Sequence, residues 1–364
     1  MTTRPAKRQR IRPVTAQRLR ASLEILAAAC VAALGCVCAA GATVAANRNV
    51  SEAARIRAAE AWTFPQRNSP DPSVPHVTTP KPDPREVLHV PGSTMSYTHA
   101  QLDNGPPDWF PSDHPVAPRI VAEGHKRASR CAECHLMTGV GVPATAALGG
   151  LPKAYVLEQV AAFRTGERGA DALASVQSMT REARNLENSD LQLAADYFSQ
   201  LKFVSRMRVI ETATVPKTHW HFYVRVPNQN GEREPIGERI IETPIDPRLY
   251  DLEDARDGYI AYVPPGSVER GAVIAAQGIG AAQPCESCHG AKLQGVGIIP
   301  PLAGRSPTYI ARELILFREG RRANPEAAPM REEVSHLTLK DMIDVAAYAA
   351  SRTGSKSNAV ARLR

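Results

Sequence analysis

Two five-residue stretches constrain this chain more than anything else in it: Cys131-Ala132-Glu133-Cys134-His135 and Cys285-Glu286-Ser287-Cys288-His289. Each reads C-x-x-C-H, the attachment signal for c-type haem. Two thiols three residues apart lie on one turn of backbone and reach the two vinyl groups of one porphyrin. The adjacent histidine swings beneath the iron as its proximal ligand. Two motifs 154 residues apart therefore imply two covalently attached haem c groups. Aromatic content is only 5% and there are 30 prolines, which predicts two small cores and long irregular connections in place of one large core. A zinc site built from the four motif cysteines is the alternative, and it leaves both adjacent histidines unexplained.

From each motif onward the chain repeats itself. Leu148, Gly150, Tyr155, Phe163, Gly166 and Arg168 recur 154 positions later as Leu302, Gly304, Tyr309, Phe317, Gly320 and Arg322. After a three-residue contraction, Met179, Leu186, Asp190 and Tyr197 recur as Met330, Leu337, Asp341 and Tyr348. Ten identities in register mark a duplicated unit. Each unit reads as three helices: one before the motif (118–126 or 268–277), a middle one (153–165 or 307–319) and a closing one (190–201 or 340–352). In the last, Met342, Ile343, Val345, Ala346, Tyr348 and Ala349 fall at helical spacing. Gly124 and Gly271 are expected to let the first and closing helices cross closely.

The organisation predicted is a basic N-terminus with an apolar segment (1–46), a proline-rich tether and irregular arm (47–117), a first unit (118–205), a β-containing bridge (206–265), a second unit (266–354) and a tail (355–364). The fold class is mainly α, with an N-terminal membrane helix. Residues 25–46 carry no charge and follow a basic stretch, a pattern that directs the rest of the chain outward across an inner membrane. Cleavage as a signal peptide is the alternative, and it leaves a soluble periplasmic protein. Residues 1–46 hold seven basic side chains and one acid. The remainder balances at 37 basic and 36 acidic residues, so there is no basic face for nucleic acid. A short helix is expected at 50–62, opened by Ser51. In the bridge, 219–226 reads as a strand and 239–243 as its partner. His99, His114 and the pair His219 and His221 are candidate metal ligands, with packing or surface roles as the alternative.

The sixth iron ligand separates a carrier from a catalyst. Met179 and Met330 stand at matching points before the closing helix, where a loop can cross the distal face. Met137 is too near His135 to reach that face, and Met342 falls within a core pattern. Tyr155, Arg168, Tyr309 and Arg322 recur and are polar, which makes them candidates to hold the haem propionates.

These residues resemble the class I cytochrome c family, in the tandem di-haem form of bacterial respiratory chains. The resemblance covers roughly 118–202 and 266–352. It implies haem attachment at Cys131, Cys134, Cys285 and Cys288, with His135, Met179, His289 and Met330 on the irons. The first unit departs from the pattern: it has Leu148-Gly149-Gly150 and lacks the prolines Pro300-Pro301 before Leu302. In the family, a carbonyl of that proline region steadies the proximal histidine.

The function expected is a membrane-tethered, periplasm-facing di-haem cytochrome c passing single electrons between a donor and an acceptor protein, without bond-making on a substrate. The alternatives are a di-haem cytochrome c peroxidase and a haem subunit of a membrane-associated dehydrogenase or oxidase complex. A thiosulfate-oxidising enzyme is disfavoured, since it typically uses a cysteine ligand and no cysteine is left over outside residues 30–38.

Overall fold

The computed structural model describes residues 50–73, 82–169 and 174–352. Contacts divide the chain after Arg55. Of the first part, the described residues are 50–55, where the Ala54 N–H donates to Ser51 Oγ (3.3 Å) at the opening of the helix Glu52–Thr63. The segment 25–46, expected to cross a membrane, lies outside the described residues, as do 74–81 and 353–364. Among the described residues no helix is long and apolar enough to cross a membrane.

The part from Ile56 carries both motifs. Its second repeat is organised by the closing helix Leu339–Ser351, which Thr338 and Asp341 open with a reciprocal capping box. Met342, Ile343, Ala346, Ala347 and Ala349 are all buried on it. Small residues on this helix admit the preceding helix Ser267–Gln277 at close range. At the crossing, a Cβ on Gly271 would lie 2.0 Å from the Asp344 carbonyl oxygen and 2.8 Å from Tyr348 Cβ. Only glycine fits there.

The same crossing, expected at Gly124, is not present. The helix before the first motif is only Arg119–Ala122, and Gly124 (φ +82°) turns the chain out of it. Its counterpart is Gly278 (φ +76°), 154 residues on: each opens a tight loop closed by the bridge His125↔Ala128 or Ile279↔Ala282. The middle helices run Lys153–Thr165 and Pro307–Arg318, and the closing helix of the first repeat is Asn188–Gln200. A further helix precedes each closing helix, Ala174–Asn185 and Ala328–Ser335. Met179 and Met330 therefore ride on helices, not on the loops expected.

Between the repeats, the run 219–226 is not one strand. Thr218–His221 pairs antiparallel with Val224–Pro227, turning at Phe222 and Tyr223, both with positive φ (43° and 72°). The strand Ile241–Pro244 pairs instead with Tyr259–Val263, which in turn runs parallel to Met207–Glu211. That parallel pairing brings the two ends of the bridge side by side and so sets one repeat beside the other; Ser205 Oγ donates to the Gly304 carbonyl at 2.8 Å. The arm packs Trp109 and Phe110 with Val90, and the Trp109 Nε1–H donates to the Leu252 carbonyl (2.6 Å). Arg256 stacks over Phe110 and holds both carboxylate oxygens of Asp113 at 2.7 Å. The arm thus docks on the bridge as well as on the first repeat.

Candidate haem-binding site

Each motif forms one helical turn, Ala132–His135 and Cys285–His289. The chain leaves the turn at a residue with positive φ, Leu136 (60°) or Gly290 (76°). His135 Nδ1 lies 2.9 Å from the Ala146 carbonyl oxygen, and His289 Nδ1 lies 2.9 Å from that of Pro300. Positions 146 and 300 are equivalent in the repeat. The first unit therefore keeps the carbonyl support without the proline, because a backbone carbonyl needs no particular side chain. Burial pushes both imidazoles down in pKa, so they stay neutral. With Nδ1 donating its proton, Nε2 presents a free lone pair to an iron.

Burial pushes the Cys131 thiol up to about 12, and the Cys134 and Cys285 thiols up to about 11. None of the four motif cysteines is in a disulfide. Among the described residues, the cluster with metal-ligand spacing is His125, Glu187 and Asp190, and it contains no motif cysteine. There, Lys126 already occupies Glu187 and His125 Nδ1 bonds the buried Asp190 at 2.7 Å, so these groups already have partners.

The helices carrying the methionines are held alike at their C-terminal ends. The Ser129 N–H donates to Glu182 (3.0 Å) and the Gln283 N–H to Glu333 (2.7 Å), each two residues before the first cysteine of a motif. Arg164 donates to the carbonyls of Ala183 (2.7 Å) and Leu186, and Arg318 to those of Val334 (3.0 Å) and Leu337 (2.5 Å). Each methionine lies three residues before its glutamate, half-buried against its own core. The repeat carries Arg164/Arg318 and Glu182/Glu333 in register, a signal present in the sequence beside the ten identities above.

Tyr309, Arg168 and Arg322 meet where the two repeats join, and Tyr155 is within electrostatic reach of them. Arg168 donates to Gln159 Oε1 (2.8 Å), Tyr309 Oη (3.1 Å) and Glu313 (3.0 Å); Arg322 donates to Gln159 Oε1 (2.6 Å) and Glu313 (2.9 Å). Sequence reasoning missed Arg305 and Arg312, which lie within electrostatic reach of Tyr309 beside this group and are 7% and 3% exposed. Burial works most strongly against the charge of Arg168, but Glu313, Tyr309 and Tyr155 together outweigh it and the net shift is upward. Arg305 and Arg312 have no such carboxylate hydrogen bond, and burial pushes Arg305 down to about 10. Glu242, the nearest further acid to Arg312, is itself held up by burial while capping the helix Pro307–Arg318 through the Thr308 N–H (2.7 Å).

Arg305 Nε, Arg312 Nε and Nη1 and Arg322 Nε are buried without an acceptor. Three buried guanidiniums, Arg168, Arg312 and Arg322, act on the one ionised carboxylate of Glu313, and with Arg305 nearby they form a charge excess that a packed interior sustains only with anions close by. Two haem groups carry four propionates, so the donor set fits them.

The other candidate histidines are accounted for by packing. His99 lies 3.5 Å from Glu86; His114 bonds Asp108 (3.1 Å) and lies 3.1 Å from Tyr197 Oη. His219 bonds Asn228 (3.1 Å) and His221 bonds Asp251 (2.7 Å), so the pair does not converge. Met342 is fully buried in the core.

This fold and these turns define a protein of the haem c-binding class, mostly helical with some sheet. No family model matches the chain. It is 38% identical over 69 residues to cytochrome c-554(548) of Halomonas halodenitrificans, covering 19% of this chain and 83% of that protein. It is 26% identical over 236 residues to cytochrome c4 of Pseudomonas aeruginosa, covering 63% and 86%. A solved cytochrome c4 from Acidithiobacillus ferrooxidans matches at 24% identity and a TM-score of 0.40, over 61% of this chain and 98% of that one. The chain belongs to the class I cytochrome c family.

Proposed function

We propose that this chain is a di-haem c-type cytochrome that passes single electrons between redox partner proteins on the periplasmic side of a bacterial inner membrane, tethered there through residues 25–46. The observation that carries the reading is the equivalence of the two units. Each has a proximal histidine oriented by a backbone carbonyl, and each has a methionine helix tied to the residues leading into its motif. A peroxidase must leave one iron open, and among the described residues both methionine helices are tied to their motifs in the same way.

In this reading Cys131 and Cys134, and Cys285 and Cys288, form the thioether links. His135 and Met179 ligate one iron, and His289 and Met330 the other. When bound, each haem supplies an iron that cycles between Fe(II) and Fe(III); thioether ligation favours the reduced state. The chain's own part would be to present one histidine and one methionine toward each haem and to exclude water. Arg168, Arg305, Arg312 and Arg322 neutralise the propionates at the junction.

A pyridine haemochrome assay should return two haems per chain. The oxidised protein should show the weak long-wavelength band of methionine-ligated low-spin haem. Met179→Ala and Met330→Ala should each remove about half of it. A band unchanged in either variant refutes that methionine as a ligand. Rapid reaction of the half-reduced protein with peroxide would refute the carrier reading in favour of the peroxidase. Carbonate-washed membranes from cells expressing the full chain and one lacking residues 25–46 test the tether.

A further inference from the structure

We propose that Phe64, which lies outside both repeats, completes the apolar pocket around Met179 and is the positioning residue that keeps this methionine on the first iron. The inference deepens the electron-carrier reading above and rests on its assignment of Met179 as a ligand. Phe64 stands just past the end of the helix Glu52–Thr63 and is 1% exposed. It lies in a buried cluster with Val160 and Phe163 of the middle helix, Val176 and Ala183 of the methionine helix, and Leu191 of the closing helix. Met179 packs against the same cluster. Val176 is one turn before Met179 and Ala183 one turn after it, so all three share one face of their helix.

The repeat separates what is shared from what is particular to the first unit. Val160, Phe163, Ala183 and Leu191 correspond to Leu314, Phe317, Val334 and Met342, which lie in the core against which Met330 packs. These positions are therefore the methionine side of each unit. Phe64 does not come from the repeat, and neither does the contact made by Leu316, which enters the first unit's cluster from the middle helix of the second. Trp62, two residues before Phe64, joins the core of the second unit instead. The ties through Arg164 and Glu182 act on the C-terminal half of the methionine helix. Val176, near its N-terminus, is held by the cluster that Phe64 fills.

Phe64 is itself fixed in place. Its N–H donates to the Glu60 carbonyl (3.1 Å), the Glu60 carboxylate pairs with Arg321 at 2.6 Å, and Arg225 donates to the Ala61 carbonyl (3.0 Å). The guanidiniums of Arg321 and Arg312 lie over its ring, 5.2 and 6.0 Å from the centroid. The ring thus stands between these cations and the methionine cluster. A methionine side chain has three rotatable bonds, so it keeps one rotamer only where the packing around it leaves no other. Removing the ring opens a cavity that its neighbours refill only in part. Met179 is then free to turn away, and water gains a route in from the charged side.

The test uses the full chain with its haem attached, checked by the pyridine haemochrome assay. Phe64→Ala should remove about half of the long-wavelength methionine band, and Phe64→Ala combined with Met330→Ala should remove all of it. Carbon monoxide should bind to one haem of reduced Phe64→Ala about tenfold faster than to the wild type, because its iron position opens more often. Phe64→Leu, which refills most of the space, should restore the band. Phe64→Val should fall between the two, and it decides the matter if Phe64→Ala fails to load its haem. Trp62→Ala, from the same segment but the other core, should lower the urea midpoint and yet keep the first haem's band, read in the Met330→Ala background. A whole band with wild-type carbon monoxide binding in the Phe64 variants would overturn the proposal. So would equal loss of the first haem's band in Trp62→Ala, since general loosening would then account for both. If Met179→Ala itself leaves the band whole, the ligand assignment fails and takes this proposal with it. A band halved by Met179→Ala but whole in Phe64→Ala and Phe64→Val sinks this proposal alone.

Discussion

Arg168 and Arg322 hold the same place in the two repeats, and they meet across the junction as an antiparallel bridge. The Gly169 N–H donates to the Arg321 carbonyl (2.7 Å) and the Ala323 N–H to that of Glu167 (2.6 Å). Both guanidiniums then converge on Gln159 and Glu313, which are themselves equivalent positions. The junction is therefore a local pseudo-twofold axis, with one carboxylate where strict symmetry would place either two carboxylates or two amides.

Removing either arginine changes the charge felt at both irons. Loss of a buried positive charge favours Fe(III), so Arg168→Gln and Arg322→Gln should each lower a reduction potential by tens of millivolts, read by redox titration in the visible. Glu313 keeps one partner in each variant, so the loss of stability should be about 1–3 kcal/mol in urea, short of what an orphaned buried charge costs. Unchanged potentials in both variants would sink the assignment of these arginines to the propionates.

Gly271→Ala places a methyl group against the Asp344 carbonyl, and the two helices have to separate to admit it. Overpacking of this kind costs about 1–3 kcal/mol or more. Ala117, at the corresponding place in the first repeat, is already an alanine and lies before the short helix Arg119–Ala122. Ala117→Gly should cost well under 1 kcal/mol, and the contrast between the two urea midpoints checks the asymmetry of the crossings.

What the sequence made legible follows from what a repeat can carry. The middle helix Lys153–Thr165 was readable to the residue, because its apolar face and flanking Pro152 and Gly166 mark both ends. The methionine helices were not: Ala174–Asn185 is polar on average and its apolar stripe, Val176, Met179 and Ala183, is narrow enough to read as a loop. Gly124 was paired with Gly271 on the assumption that both sit inside helices, although Gly278 stands at the exact repeat distance. The bridge hairpin had no turn signal: Phe222 and Tyr223 adopt positive φ, which bulky side chains rarely do. Arg305 and Arg312 were invisible for a further reason. Their counterparts are Leu151 and Glu158, and a search for shared residues passes over positions where the two repeats differ.

Glu182 and Glu333 are the ties between each methionine helix and its motif. Glu333→Ala frees the Gln283 N–H to water and loosens one helix end, which should cost about 1 kcal/mol. The diagnostic effect is spectroscopic. The methionine band of the second haem should bleach at lower urea than the Soret band shifts, while in the wild type the two coincide. Glu182→Ala should do the same for the first haem. Coincident transitions in both variants would mean that these carboxylates stabilise the fold without positioning the methionines.

Glu253 stands on the bridge beside the first motif, with Oε2 buried and unpartnered. Burial, assisted by Glu133, pushes its carboxyl from 4.5 up to about 7. A carboxyl with a raised folded pKa binds its proton more tightly in the folded chain. Its favourable contribution is complete below about pH 4.5 and is lost as pH rises through 7. The ceiling on the effect is about 3 kcal/mol, at 1.36 kcal/mol per unit. Glu253→Gln keeps the shape and removes the titration. Variant and wild type should therefore melt close together at pH 4.5, and the variant should melt higher at pH 8, by several degrees for a chain of this size. A constant gap across that range, followed by far-UV circular dichroism, would show that Glu253 is ionised and solvated throughout. The same titration should register at the first haem: an ionised Glu253 favours Fe(III), so the pH dependence of that potential should flatten between pH 6 and 8 in the variant.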